Sequence, residues 1–203
     1  MIECRDILKT AFFFALVFIF GALIGFLKYH STIDLIMPVF EEMKNQIFNP
    51  GSPLETAYNI FMNNLTVSLI LYLTGVSLIL PLLVVGSNGF ILGFFTRHSL
   101  EHEDVGLWFL FKGLIAHSIF ELPALFIAAA IGYRMGVVFF SMILEVLICL
   151  ITQKNQINLQ EHKKKFIKQV KEGYFVYITV VVPLLLFAAL IETYVTAWLL
   201  GIY

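Results

Sequence analysis

The residues of this chain best suited to chemistry are His117 and Glu121, which lie four positions apart in an otherwise apolar stretch. Residues at that spacing share one face of a continuous helix. An imidazole and a carboxyl held together could bind a cation, relay a proton or ligate a metal ion. The pair therefore predicts a polar site for an ion or ligand, with His117 and Glu121 as the candidate metal ligands.

The same stretch also fits a structural interpretation, because Ser118 and Glu121 have the spacing of a capping box. In that motif a serine caps the start of a helix and a glutamate three residues later bonds back to it. With Pro123 close by, residues 117–123 would then be a break in a discontinuous helix. The two interpretations are compatible, since broken helices whose ends face a cavity form ion and substrate sites in membranes.

Three asparagines are further candidates for contact with an ion or ligand: Asn63, Asn64 and Asn88. The first two precede a long apolar run, where either amide could cap the start of a helix. The third lies in Gly86-Ser87-Asn88-Gly89, which predicts a second helix break at 86–89. Capping and turn formation are the alternative roles of these amides.

The elements that must position these residues are strongly apolar. The chain has 203 residues, of which 60% are hydrophobic and 13% charged, and its mean hydropathy is +0.90. Soluble domains carry about 25% charged residues. The composition therefore predicts an integral membrane protein, with residues 1–203 forming a single polytopic domain.

Apolar segments predict an all-α fold with about five transmembrane helices. The predicted spans are 7–27, 65–85, 106–133, 137–151 and 174–200. Between them, Pro38–Phe48 and the lysine-rich stretch 152–173 have the pattern of amphipathic helices at the membrane interface. Phe90–Phe95 is too short to span and is either a re-entrant piece or the start of a helix that continues past Arg97.

The distribution of lysine and arginine predicts the orientation in the membrane. Six lysines fall within 152–173, and the positive-inside rule places this stretch in the cytoplasm. Counting back through the predicted spans puts the N-terminus inside as well and the C-terminus outside. Anionic lipid would then hold the lysine-rich helix at about 1 kcal/mol per basic residue. An ordinary charged loop that sets the topology is the alternative.

Enzyme motifs are missing from the sequence. It contains no H-E-x-x-H, no G-x-S-x-G and no glycine loop that would cradle a phosphate. Cys4 and Cys149 form no C-x-x-C pair, which argues against a zinc ribbon or a disulfide framework. We therefore expect no catalytic activity, no cofactor and no nucleic-acid partner.

Several motifs of this chain occur together in one known family. They are Asn63-Asn64, Asn88-Gly89 with Gly93 after it, and the stretch from His117 to Pro123 followed by Ala128-Ala129-Ala130 and Gly132. On these motifs the chain resembles the stage II sporulation protein M family over about residues 7–200. The resemblance implies a multi-pass membrane protein without catalytic activity. The family's namesake works in a membrane complex with peptidoglycan hydrolases, which implies a membrane-complex partner.

Two functions follow as hypotheses. The first is a small permease or channel-like protein, whose cavity is lined by the residues Asn63, Asn64, Asn88, His117 and Glu121. The second is a non-catalytic scaffold or accessory subunit of a larger envelope complex, which presents its amphipathic helices to partners. Besides the lipid bilayer, we expect a second copy of the chain as a partner, since small bundles with exposed small-residue faces often pair.

Overall fold

The computed structural model describes residues 4–47, 52–101, 107–152 and 159–196. For residues 4, 39–47, 107–118, 159 and 196 it describes the backbone alone. Within these ranges the chain is helical, and five helices are long and apolar enough to cross a membrane. This confirms the predicted all-α membrane fold and the predicted number of spans.

The described ranges contain seven α-helices. They are α1 Cys4–Leu27, α2 Tyr29–Ile47, α3 Pro53–Thr74, α4 Ile79–Glu101, α5 Leu107–Thr152, α6 Leu159–Val176 and α7 Val182–Leu190. A 3₁₀ turn, Gly75–Ser77, joins α3 to α4, and two π-helical turns, Tyr177–Val181 and Ile191–Thr196, flank α7. The candidate spans are α1, α3, α4, α5 and the continuous run from α6 to the second π-helical turn.

The apolar run 65–85 is a helical hairpin, so its prediction as a single span was wrong. The chain turns at Gly75–Ser77, and Leu78 has a φ angle of 60°. Pro81 explains the turn, because its ring would clash with the carbonyl four residues earlier in a continuous helix but fits the first turn of a new one. The hydroxyl of Ser77 accepts the N–H three residues later at 3.0 Å and caps the start of α4.

The helix that carries the two adjacent asparagines begins well before them. The hydroxyl of Ser52 accepts the N–H of Glu55 at 3.3 Å, and Pro53 occupies the first helical position. Asn63 and Asn64 therefore lie in the middle of α3, about 15 Å from either end. Their predicted role as helix caps was wrong.

Both predicted helix breaks were also wrong. α4 runs without interruption through 86–89, and α5 runs through 117–123 with Pro123 inside it. α5 continues through Gly132 and Gly136, so the predicted spans 106–133 and 137–151 are one helix. The reason is general to membranes, where no water competes for backbone groups and helices therefore tolerate glycine and proline.

The glycines of α4 serve close packing against α1. A Cβ atom on Gly89 or Gly93 would overlap the backbone carbonyl of Phe18 or Ala22, respectively. Two glycines of α1 approach α4 equally closely: Gly21 and Gly25. Because the contact positions rise together along both helices, α1 and α4 point in the same direction. These small-residue faces pack against each other inside the chain and are not exposed. They therefore give no reason to expect a homodimer, which stays a prediction.

The core lies between α1, α3, α5 and the last helical run. α5 contributes a row of fully buried alanines: Ala124, Ala128, Ala129 and Ala130. Gly132 brings α5 onto the backbone of α3, since an added Cβ would lie 2.5 Å from the carbonyl oxygen of Leu71 and 2.6 Å from that of Tyr72. α7 packs against both of these helices. Small side chains thus let three helices approach closely in a region without water.

From Gly136 onward, α5 runs beside α6, and we call residues 137–152 and 159–173 the arm. At Gly136 an added Cβ would overlap the carbonyl of Gly75 in the α3–α4 turn, and α5 continues to Thr152, about 24 Å further. The end of α6 returns to the bundle, where the Tyr72 hydroxyl of α3 donates to the carbonyl of Val170. Glu145 bonds His162, and Phe139 contacts Phe166 with ring centroids 6.0 Å apart. The described part of the lysine-rich stretch, from residue 159 onward, is therefore helical and packs along the end of α5.

The first amphipathic segment is longer than predicted. α2 begins at Tyr29, directly after a single turn residue that follows α1, and Pro38 lies inside it rather than at its start. The side chains of 39–47 and all of Phe48 lie outside the described residues, so the apolar face proposed for Pro38–Phe48 stays a prediction.

Candidate functional site

The central polar contact of the bundle joins α3 to α5. The Nδ2 of Asn64 donates to Oε2 of Glu121 at 2.6 Å. Both side chains are buried, with Asn64 6% and Glu121 4% exposed. The pair lies near the middle of α3, about 15 Å from either end of that helix, which is close to mid-membrane depth. A buried carboxyl at this depth is costly unless it is paired, and Asn64 supplies one partner.

A second amide extends this contact to the surface of the bundle. The Nδ2 of Asn63 donates to Oδ1 of Asn64 at 3.4 Å, and Asn63 itself is exposed. The two amides and the carboxyl thus form a short chain of hydrogen bonds from the outside of α3 to the core. Such a chain can hold two helices together, and its carbonyl and carboxyl oxygens can also coordinate a cation.

The predicted site residues divide into three groups. Asn63, Asn64 and Glu121 are brought together as described. Asn88 does not join them, because it faces outward from α4 and its Nδ2 donates to the carbonyl of Val84 at 2.8 Å. The side chain of His117 lies outside the described residues, so its pairing with Glu121 and a role in metal binding stay predictions.

Three buried polar residues next to this site escaped the sequence analysis. Ser68 and Tyr72 follow Asn64 at intervals of four along one face of α3. The hydroxyls of Ser68 and Tyr177 lie 2.9 Å apart, and the ring of Tyr177 stacks on Tyr72 with centroids 5.4 Å apart. Tyr72 donates to the carbonyl of Val170 at 3.1 Å. The four-residue spacing was the available signal, since it places all three α3 side chains on one helical face.

The position of Tyr177 depends on a widened helical turn. Tyr177–Val181 is π-helical, and Pro183 follows it at the start of α7. In an α-helix the Pro183 ring would clash with the carbonyl of Thr179, four residues earlier. Widening the turn removes that clash, and such π-helical turns occur often at functional sites. Proline thereby helps to set where the Tyr177 hydroxyl meets α3.

Two cavities lie away from the buried pair. One, of about 350 Å³, is an open groove on α6 lined by Lys164, Ile167, Lys168, Lys171 and Glu172. The other, of about 270 Å³, lies at the base of the arm and is lined by Thr10, Tyr133, Arg134, Val137, Val138 and Gln169. Neither cavity includes Asn64 or Glu121. Within the described residues, no group of three His, Cys, Asp or Glu side chains could hold a metal ion.

A second polar cluster lies where α1 gives way to α2. Tyr29 is buried, and its hydroxyl lies 2.8 Å from Nδ1 of His98 on α4. Burial raises the pKa of the Tyr29 hydroxyl, the Glu101 carboxylate raises it further, and Arg97 opposes both effects. The hydroxyl is therefore protonated at neutral pH and ties α2 to the end of α4.

A charged contact marks the opposite end of the bundle, beside the α3–α4 turn. Nη2 of Arg134 lies 3.6 Å from Oδ2 of Asp6, so the start of α1 is paired with α5 just before the arm begins. Both side chains are partly exposed, which limits the contribution of the ion pair to stability. The contact places the start of α1 at the same end of the bundle as the arm.

Comparison with known proteins identifies the family. The family model described as stage II sporulation protein M matches residues 10–197. No curated protein and no solved structure matches the chain. Because the family model covers most of the chain, this multi-pass membrane protein belongs to the stage II sporulation protein M family.

Proposed function

We propose that this member of the stage II sporulation protein M family is a non-catalytic scaffold, an accessory subunit that presents its arm to partner proteins in a membrane complex. The observation that carries the proposal is the apolar surface of the arm. Several large side chains on the end of α5 are exposed there: Phe140, Leu144, Leu147, Ile148, Leu150 and Ile151. Exposed apolar patches outside a folded core are typical of surfaces that bind another protein or a membrane.

The other side of the arm is basic. α6 carries five lysines over 163–171, and three of them line the groove described above. By the positive-inside rule, the lysine-rich α6 and the N-terminus lie on the cytoplasmic side, and the five spans then place the C-terminus outside. An acidic partner with one apolar face is complementary to this surface. The lysines also favour the anionic inner leaflet, so the base of the arm lies close to lipid headgroups.

The contact between Asn64 and Glu121 supports a structural role for the buried carboxyl. The amide donor is close, both side chains are buried, and fully buried alanines of α5 lie on the following turns. One observation supports a permease or channel-like function instead: the Glu121 carboxyl lies near mid-membrane depth. The outward position of Asn88, which does not line a common cavity with Asn64 and Glu121, favours the scaffold.

The arm can be tested with a matched pair of triple variants. The arm variant replaces Leu144, Leu147 and Ile151 with alanine, and the control replaces Leu16, Ile19 and Leu23 of α1 in the same way. The two sets have the same residue types and spacing, and their exposures are comparable, 49–81% in the arm and 50–56% on α1. The tagged full-length chain is purified from its native membranes, and stoichiometric partners are quantified.

We expect a stoichiometric partner to co-purify with the wild type and with the α1 control, and to be lost from the arm variant. All three proteins should show the same helical content and thermal stability. Equal recovery of the partner with the arm variant would contradict the proposal. Purification of the wild type as a single component, with cation or proton flux in liposomes, would favour the channel instead.

A further inference from the structure

The outward face of α4 carries polar groups at a depth where lipid offers them no partner. Asn88 and Ser87 are both exposed, about 14 Å from the start of this 23-residue helix. Both side chains bond back to the carbonyl of Val84, Asn88 at 2.8 Å and Ser87 at 3.0 Å. Within the described part of the chain, Oδ1 of Asn88 accepts no hydrogen bond.

An amide in this position has a substantial cost in a bilayer. Moving an amide from water to hydrocarbon without a partner costs about 4–8 kcal/mol, and one bond to Val84 offsets only part of this. Side chains such as asparagine therefore promote contacts between membrane helices, where each interhelical hydrogen bond contributes about 0.6–2 kcal/mol. The opposite face of α4 is already filled by α1, so the amide can be satisfied only from outside the bundle.

We propose that this face of α4, defined by Leu80, Leu83, Ser87, Asn88 and Ile91, pairs with the same face of a second copy of the chain. Two copies inserted in the same orientation must carry Asn88 at the same depth. A twofold axis along the membrane normal then brings the two carboxamides opposite each other, and each donates to the other because a carboxamide is both donor and acceptor.

The neighbouring side chains suit such a contact. Ser87 is small enough for two helices to approach closely, and Leu83 and Ile91 lie one turn on either side of it. Leu83 is 61% and Ile91 48% exposed in the single chain, so both have surface to bury. This pairing does not involve the arm, and the scaffold proposal can fail while the dimer stands.

Disulfide crosslinking tests the geometry directly. In a background with Cys4 and Cys149 replaced by serine, Ser87→Cys is introduced into the full-length chain, which is purified and reconstituted in lipid vesicles. Oxidation should give a dimer-sized product. Leu186→Cys is the matched control, since Leu186 is exposed on α7, which packs against α3 and α5. Equal crosslinking at the two positions, or none at Ser87→Cys, would overturn the proposal.

A second measurement asks whether the amide itself contributes. Because Asn88→Leu removes both carboxamides of the dimer, and with them two hydrogen bonds of about 0.6–2 kcal/mol each, the dissociation constant in lipid should rise about 8- to 800-fold. Asn88→Gln should retain most of the affinity. Asn63→Leu, which removes the exposed amide of α3, should leave the dimer unchanged. Two results would show that α4 is not the interface. One is a wild type that stays monomeric at every protein concentration in lipid, and the other is a dimer that is weakened by Asn63→Leu and not by Asn88→Leu.

Discussion

Removing both partners of the buried contact should be less harmful than removing either one. Asn64→Leu takes away an amide that donates to the Glu121 carboxyl at 2.6 Å, and Glu121→Leu leaves the amide without its acceptor. Each single variant leaves a polar group in the core with fewer bonds, which costs about 1–3 kcal/mol. In the double variant, two apolar side chains of similar size face each other.

The size of the coupling follows from the same contact. In soluble proteins a hydrogen bond contributes about 0.5–1.5 kcal/mol between neutral groups and about 1.5–3 kcal/mol when one group is charged. Bonds between membrane helices average about 0.6 kcal/mol and reach about 1.7 kcal/mol. Because the Asn64–Glu121 contact is short and both side chains are buried, we expect a coupling free energy of about 1–2 kcal/mol.

Reversible unfolding in mixed micelles, followed by far-UV circular dichroism, gives the free energy of unfolding for all four members of the cycle. Glu121→Gln is the control, since its amide oxygen can still accept from Asn64, and it should stay within about 1 kcal/mol of the wild type. Additive single effects, or a glutamine variant as unstable as Glu121→Leu, would refute the structural role of the pair.

Three further changes separate close packing, capping and core polarity. Gly93→Ala places a Cβ against the Ala22 carbonyl and should lower the free energy of unfolding by about 1–3 kcal/mol. Gly86→Ala is the control, because its Cβ would meet only a side chain at 3.8 Å and should be tolerated. The thermal stabilities of the two variants test this difference. Ser52→Ala removes the cap of α3 and should cost about 1 kcal/mol of unfolding free energy in the same micelle assay. Tyr177→Phe removes a hydroxyl bonded to a buried serine and should cost about 0.5–1.5 kcal/mol, with helical content unchanged by circular dichroism.

Composition and apolar runs were enough to predict the all-α membrane fold, but not where its helices turn. The run 65–85 has the length of one span, and its hairpin depends on Pro81 together with the Ser77 cap. Ser77 is one small polar residue inside an apolar run, which a hydropathy pattern passes over. A proline late in such a run predicts a kink in one helix, but Pro81 fits the first turn of a new helix equally well.

Glycines led to the opposite error, because a break was predicted where the helix is continuous. Gly86 and Gly89 suggested a break, as they would in a soluble protein, whereas in α4 they lie in a continuous helix that packs on α1. Close approach and chain turning both favour glycine, and only the partner helix distinguishes them. The same ambiguity applies to Gly132 and Gly136, which bring α5 onto α3.

The candidate site was predicted in part. Glu121 and Asn64 were both candidates for contact with an ion or ligand, with helix capping as the alternative role of Asn64, but the hydrogen bond between the two was not predicted. The contact joins positions 57 apart in sequence, and the contact between Ser68 and Tyr177 joins positions 109 apart. A single sequence contains no signal for such pairings, because they depend on how α3, α5 and the last helical run pack together.

In the scaffold that we propose, the arm carries the function of this protein and the Glu121 carboxyl stabilises the fold. The most direct test is complementation in host cells that lack the chain, comparing Glu121→Gln with the alanine variant of Leu144, Leu147 and Ile151 at matched membrane levels. We expect normal function with the glutamine variant and loss of function with the arm variant. A folded glutamine variant that fails, beside an arm variant that functions normally, would contradict this proposal.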